Sequence, residues 1–573
     1  MSKQFFLTIA DTSAPFFLEH AEGSVNWSKA PLSALEKKKN AIPSKKKHRR
    51  VRESFGKYTK RIAEIGFNSV TVDELCYLVP HPFFPEELNA KIRSYRKKYK
   101  KLFKIARAQK LRIFLTADFL SFHPTMTERT KGDLDACIDL FLIGLDGFFN
   151  DFPEVDGIVL RIGESDGVDV RADFKSKLLL KTPEQTNYFL RRSVPIFEKH
   201  NKLMIFRTWT LGAYEVGDLI WNPETYRKVF RNIRSDSLVI SMKYGEGDFF
   251  RYLRLNPLFL QDDRPKLLEL QARREYEGFG EYPSFVGWLY ERYRTQLRHA
   301  KNLVGLSVWT QTGGWSSFRN FTFLKNSSFW NELNAFVSLK LFTKDWSVEK
   351  CVSKFYQGAR QEEFYRFLKL SDRVIEDLLY DPEFAGKTYY LHRVRLPPLL
   401  HVTWDRVTVS DPFRFLYSAL SGNPNLSIRS GESAFPLLDE MNRLAEKLDL
   451  PYNHEFQKET FYLLLLCRKL LYNRDLSREE TLLEEALEKA KDYHERYPDT
   501  YRFHILPRKN LPGTFQKFLL RLFVRGRSRY RILDRILYHP ALRFLYYLVY
   551  LRIRRRLPSF LNQQAMPVRE LLR

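Results

Sequence analysis

Cysteine is scarce in this chain. Only Cys76, Cys137, Cys351 and Cys467 occur in 573 residues, far apart and without a CxxC pair, which excludes a disulfide scaffold and suits a reducing, cytosolic setting. No apolar run approaches the roughly 20 residues that a membrane-crossing helix needs. The opening MSKQFFLTIADTS is broken by Thr8 and Asp11 and lacks a small-residue cleavage site, so a secretory signal is not expected either. The twelve histidines form neither an HxH nor an HExxH spacing, and no metal is expected. No G-x-x-x-x-G-K-[ST] or G-x-G-x-x-G follows a strand-like run, so no cofactor is expected.

Acidic residues are also few relative to basic ones, which leaves a net charge of +27. What is abundant is apolar and aromatic side chains, 44% and 15% of the residues, ample for large cores. Eight short β-rich runs recur: QFFLTIA (4–10), FNSVTV (67–72), RIFLTA (112–117), GIVLRI (157–162), LMIFRT (203–208), SLVISM (237–242), KLLELQ (266–271) and LVGLSVW (303–309). Connecting stretches such as EELNAKIRSYRKKYKKLFKIARAQK place apolar residues three and four apart, the helical period. Alternating strand and helix implies a parallel sheet, and eight such units predict a closed (β/α)8 TIM barrel over residues 1–344. Beyond about Trp346 no further strand runs are evident and helical patterns dominate, so an α-helical domain is expected over 345–505, followed by a basic amphipathic helical tail over 506–573.

Several of the apolar runs end abruptly in charge. VDGIVLRIGESDG (155–167) reads as a strand buried on both faces, then turns to Arg161, Glu164 and Asp166. In a barrel the C-terminal strand ends form the active-site face, so charge at that point is where chemistry is expected. The same rule marks Asp11, Asp73, Glu74, Asp118, Arg207, Trp209, Lys243, Asp248 and Trp309, and the seventh run carries Glu269 and Gln271 ahead of Glu275, Tyr276 and Glu277. A mouth of carboxylates, arginines and tryptophans suits a sugar, whose apolar ring face stacks on aromatics while paired carboxyls act as acid and base.

At these residues a family resemblance emerges. VDGIVLRIGESDG resembles the strand-four segment of the family-67 glycoside hydrolases, the α-glucuronidases; SLVISMKYGEGDF is similar to their strand-six pattern, and LLELQARREYEGF to their strand-seven EFQ-x-x-x-EY-x-G. WNELNAFVSLKLFTKDWSVEKCVSKFY resembles the stretch where that family leaves its barrel, so the likeness runs from about Phe5 to Tyr356. It implies a glycoside hydrolase in which Glu164 is the general acid and Lys243, Asp248, Glu269, Gln271, Glu275 and Tyr276 form the pocket. Arg161, Arg207, Trp209 and Trp309 complete the expected substrate-binding set.

One departure matters. That family, which inverts, takes its base from the region after strand eight, and here VWTQTGGWSSFRNFTFLKN contains no acid. Two substitutes are open. Glu269 opposite Glu164 would make a retaining pair about 5 to 5.5 Å apart, with Glu269 as nucleophile. Alternatively Glu275 or Asp248 would activate water across about 6.5 to 9.5 Å, keeping inversion.

The tail supports a separate expectation. From Arg508 to Arg573 sixteen Lys or Arg face two acids, interleaved with Phe, Leu, Ile and Tyr, as in a helix lying in an anionic membrane surface. A second basic run, EKKKNAIPSKKKHRRVR (36–52), reads as a solvated loop. The expected partners are a carbohydrate and an anionic membrane; nucleic acid is not expected, because no groove-reading motif accompanies the charge. The expected protein is thus a cytoplasmic, peripherally membrane-bound glycoside hydrolase acting on a glycan that is uronate-containing or lipid-linked. The alternatives are an inactive sugar-binding scaffold of polysaccharide assembly and a glycan transferase.

Overall fold

The computed structural model describes residues 5–12, 36, 44–162, 173–209, 214–311, 329–403, 405–473, 475–498, 500–509, 513–526 and 532–554. Eight parallel strands close into a barrel: β1 (Leu7–Thr12), β2 (Ser69–Asp73), β3 (Arg112–Asp118), β4 (Gly157–Arg161), β5 (Leu203–Arg207), β6 (Leu238–Lys243), β7 (Lys266–Gln271) and β8 (Leu303–Gln311). β1 pairs with both β2 and β8, so no sheet edge is left.

Helices wrap the barrel. They are α1 (Lys45–Ile65), α2 (Glu86–Ala108), α3 (Leu134–Asp151), α4 (Pro183–Lys199), α5 (Pro223–Val229), α6 (Gly287–Gln296) and α7 (Phe329–Lys344). Their inward stripes follow the helical period: α2 buries Leu88, Ile92, Tyr95, Tyr99, Leu102, Phe103 and Ala106. Their ends carry local stops. Ser44 caps α1 by accepting from the Lys47 amide, and Gly66 closes it in the left-handed region at φ 110°. Thr182 and Gln185 form a capping box on α4. The second basic run is therefore not all loop: from Lys45 it opens α1, with Lys45, Lys46, Arg49 and Arg50 exposed and His48 and Val51 buried. A helix rather than a loop forms because those buried positions sit three residues apart.

The strands are not uniformly apolar inside. Cross-strand register places Leu7 opposite Gly305, Ile9 opposite Ser307 and Asp11 opposite Trp309, and the same two-residue alternation runs round the barrel. Its lower interior is a plug of Leu7, Ile9, Phe114, Val159, Ile205, Val239 and Leu267. Two residues further along each strand the inward positions turn polar, while outward positions such as Ile113, Leu115, Ile158 and Leu160 join the core beneath the helices. Glycines stand near the start of β4 and β8 for a steric reason. A Cβ on Gly157 would meet the Leu203 carbonyl oxygen at 2.0 Å, and one on Gly305 the Leu7 carbonyl oxygen at 2.1 Å.

After α7 the chain is mostly helical, and the apolar helix His454–Tyr472 is deeply buried within it. Strands do occur there, contrary to the expectation of none beyond Trp346: Val402–Thr403, Arg406–Val409 and Arg502–Ile505 form one small sheet, and Tyr390–Leu391, Val394–Arg395 and Val524–Arg525 another. Segments of two to four residues are too short to show a period of two. A buried polar joint ties the helices to the barrel mouth. Glu277 accepts from Arg274 Nε at 3.0 Å and from the Tyr380 hydroxyl at 2.8 Å, and lies 3.4 Å from Arg251 Nε. Arg251 also pairs with Asp372. Burial alone would raise the Glu277 pKa, but the Arg274 and Arg251 guanidiniums outweigh it and bring it down to about 2.

Candidate active site

The polar inward positions at the strand ends make one cup. Its floor is an ionic network in which Arg207, from the end of β5, pairs with Asp11 of β1 and lies 3.5 Å from Oε1 of Glu269 in β7. Asp11 also accepts from the hydroxyls of Thr71 and Ser307, each at 3.0 Å. Glu269 accepts from Ser241 Oγ at 2.7 Å and from Trp309 Nε1 at 3.1 Å. These contacts follow from register: Arg207 is level with Ser241, Ser307 with Glu269, and Glu269 with Lys243.

One wall is aromatic. Trp209, Phe249 and Trp309 form a cluster, with the two indoles 6.2 Å apart between ring centres. Lys243 Nζ lies 4.4 Å from the Trp209 ring and 4.6 Å from the Phe249 ring, and the Arg207 guanidinium 4.5 Å from the Trp309 ring. Lys243 also pairs with Asp248 Oδ1 at 2.5 Å, and the Tyr276 hydroxyl donates to Asp248 Oδ2 at 2.6 Å.

The opposite wall, from β2 to β4, is acidic. Arg161 pairs with Asp118 at 2.5 Å, and Glu74 accepts from Ser121 Oγ at 3.1 Å. Asp73 is fully buried, with no well-formed hydrogen bond to either carboxyl oxygen among the described residues. Burial and the neighbouring Glu74 carboxyl push its pKa up to about 8, against the attraction of Arg161, so it is mostly protonated at neutral pH. Behind this wall a cavity of about 40 Å³ is lined by Glu74, His81, Asp118, Ser121 and a set of apolar side chains. Burial lowers the His81 pKa to about 4, so that imidazole is neutral.

The structure therefore brings together Arg207, Trp209, Lys243, Asp248, Glu269, Tyr276 and Trp309, with Arg161 across the mouth. Gln271 and Glu275 are tied to each other, the Glu275 amide donating to Gln271 Oε1 at 2.9 Å. Glu164 lies outside the described residues. Glu269 takes Arg207 as its ionic partner, not Arg273. Glu277, in the same acidic cluster as Glu275, belongs instead to the buried polar joint with the helices that follow. Ser241, Ser307, Thr71 and Phe249 are parts of the site that the search for charge passed over. Counting back two residues from Lys243 and Trp309 finds the two serines, because inward positions repeat every second residue.

Two buried donors at the mouth have no acceptor among the described residues: Trp209 Nε1 and Gln271 Nε2. A buried polar atom left unpaired is costly, so such atoms mark a place where a polar ligand or water belongs. The carboxylates differ in access. The Asp248 side chain is 27% exposed and that of Glu269 0%. Chemically, the strand ends hold one partly exposed carboxylate, two buried donors without an acceptor among the described residues, a buried carboxyl with a raised pKa and a buried aromatic cluster. Among the described residues no group of three or more His, Cys, Asp or Glu could hold a metal ion.

No family model and no curated protein matches this chain. Solved structures do. The chain is similar to a family-138 glycoside hydrolase described as targeting pectin rhamnogalacturonan II, at 12% identity and a TM-score of 0.53, over 88% of this chain and 63% of that one. A family-89 glycoside hydrolase from Clostridium perfringens aligns at 9% identity and a TM-score of 0.42, over 85% of this chain and 54% of that one. An O-GlcNAc hydrolase from Thermobaculum terrenum aligns at 12% identity and a TM-score of 0.38, over 78% and 86%. The chain thus spans less than two thirds of the length of the first of these. At such identities the likeness is one of fold: the (β/α)8 barrel with its helical C-terminal region is an architecture found among glycoside hydrolases.

Proposed function

We propose that this protein is a glycoside hydrolase that cleaves or trims a glycan in the cup at the C-terminal ends of its strands. The observation that carries the reading is Asp248, a partly exposed carboxylate held by Lys243 and Tyr276 beside the cluster of Trp209, Phe249 and Trp309 at the C-terminal strand ends. A pyranose offers hydroxyls to charged side chains of this kind and an apolar face to aromatic rings.

Access decides between the carboxylates. Glu269 is closed off, and Ser241, Trp309 and Arg207 surround its two oxygens, which suits a rigid floor rather than a group that must reach an anomeric carbon. Asp248 opens to the cup and is oriented by Lys243 and Tyr276, so it is assigned the base. In this mechanism Glu164 protonates the leaving glycosidic oxygen while Asp248 removes a proton from water, whose oxygen attacks the anomeric carbon from the opposite face, with inversion. A glycan that is uronate-containing or lipid-linked, a cytoplasmic setting and an anionic membrane as partner belong to the same proposal, as does the tie to family 67.

The test is turnover of a panel of glycans and aryl glycosides by the wild type, Glu164→Gln and Asp248→Asn, with the product anomer read by NMR. The proposal expects inverted product from the wild type, and loss of turnover with retained sugar binding in both variants. A wild type that binds glycans without cleaving any would favour the sugar-binding scaffold, and turnover only with an activated donor the transferase.

A further inference from the structure

The most unusual surface of the molecule is far from the cup in sequence. Among the described residues, fourteen large apolar side chains are exposed, and seven of them fall within thirty-one consecutive positions: Phe518, Ile532, Ile536, Phe544, Leu545, Tyr547 and Leu548. Ile532 is 80% exposed and Phe544 71%. They lie on three short helices, Thr514–Phe523, Ile532–Leu537 and Arg543–Ile553.

These helices are held to the body. The strand Val524–Arg525 pairs antiparallel with Tyr390–Leu391. Arg525 makes a buried ion pair with Asp534 at 2.7 Å, and its guanidinium packs 5.5 Å from the rings of both Trp221 and Tyr390. His392 stacks on Tyr538 at 3.9 Å, and Phe523 and Tyr546, on the first and third helices, contact each other and Tyr538, which follows the second. The aromatic interior of this unit is therefore filled, and the exposed apolar side chains lie on its outside.

That surface is strongly basic as well as apolar. Phe544, Leu545 and Leu548 share one helix face, as do Ile532 and Ile536, by the i, i+1, i+4 spacing. Arg521, Arg535, Arg552 and Arg554 are exposed alongside them. Asp534 is the only acid between Arg508 and Arg554, and Arg525 takes it up. A face that combines protruding Phe, Leu and Ile with arginines and no free acid complements one partner in both respects: a bilayer whose surface is anionic and whose interior is apolar. No helix among the described residues is long and apolar enough to cross a membrane.

We propose that the helices of residues 514–554 dock the protein in-plane on anionic lipid, with Phe518, Ile532, Ile536, Phe544, Leu545 and Leu548 entering the acyl boundary and the arginines meeting headgroups. This deepens the partner named in the proposed function, and it requires no catalysis. The test uses the full chain in co-sedimentation with phosphatidylcholine vesicles, with and without phosphatidylglycerol. Binding to the anionic vesicles is expected, at least tenfold weaker to phosphatidylcholine alone. A triple variant, F544S/L545S/L548S, should lose at least tenfold in binding while remaining folded with a similar melting temperature, because those positions are largely exposed. Equal sedimentation of variant and wild type would overturn the proposal. So would failure to bind anionic vesicles, whether accompanied by self-association that the triple variant abolishes or by binding to duplex DNA that it leaves intact.

Discussion

Replacing Asp73 by asparagine separates a strained site residue from an ordinary core one. The carboxyl sits at an inward position at the end of β2, buried, beside Glu74 and within reach of the charges of Asp11 and Arg161. Its pKa rises from an unfolded 3.8 to about 8 in the folded protein. Between those values the folded state holds a proton that the unfolded chain has given up, so stability falls as pH rises and the loss is complete only above the folded pKa. At about 1.4 kcal/mol per pH unit, the wild type should lose about 4 kcal/mol between pH 5 and pH 8 through this group alone. Asparagine is nearly isosteric and does not ionise, so Asp73→Asn should be the more stable protein at neutral pH, by a margin that widens with pH. The assay is urea unfolding of both proteins at several pH values across that range, with the difference plotted against pH. If the difference is flat between pH 5 and pH 8, Asp73 is not protonated in the fold and the account of the acidic wall is wrong. Under the proposed function the same substitution should lower kcat/KM, since stability gained at an active-site position is commonly offset by lost activity.

Other expectations concern the joint, the barrel wall and the cup. Glu277→Gln should destabilise the fold by about 3 to 5 kcal/mol, because Arg274 would stay buried without its carboxylate and Arg251 would lose one of its partners; chemical denaturation measures it, and a loss under about 1 kcal/mol would refute the reading. The Glu277 contribution is present above the unfolded pKa of 4.5 and fades as pH falls toward about 2, so acid unfolding of the wild type should be steeper than that of the variant over that range. Gly157→Ala should cost about 3 kcal/mol or more, since the added methyl would force β4 and β5 apart; a melting temperature within a degree of wild type would count against the register. Under the proposed function, Asp248→Asn should cut kcat by about 10²- to 10⁴-fold with KM little changed, whereas Trp209→Ala should act mainly on KM; progress curves over a substrate series distinguish the two.

The barrel was legible because each of its strands carries its own signal. A run such as RIFLTA must be buried wherever it occurs, and eight such runs with helical connections leave few other closed solutions. Strand-end position also named Arg207, Trp209, Lys243, Asp248, Glu269 and Trp309, which closure brings together at one end of the barrel. The short strands at 390–409 and 502–505 were not, because their pairing is made between segments far apart in the chain rather than by any local period.

What residue order alone determined is the alternation of strand and helix, the charge at the strand ends and the basic, apolar character of the last segment. Tertiary structure decided which charges meet. Glu269 and Asp248 look alike as acids near strand ends, yet closure of the barrel buries one beneath Trp309 and Arg207 and leaves the other open. Glu275 and Glu277 stand two residues apart, and only the docked helices make Glu277 part of a joint. Access and partnership depend on distances between strands, and those are set by closure and register rather than by anything a single segment contains.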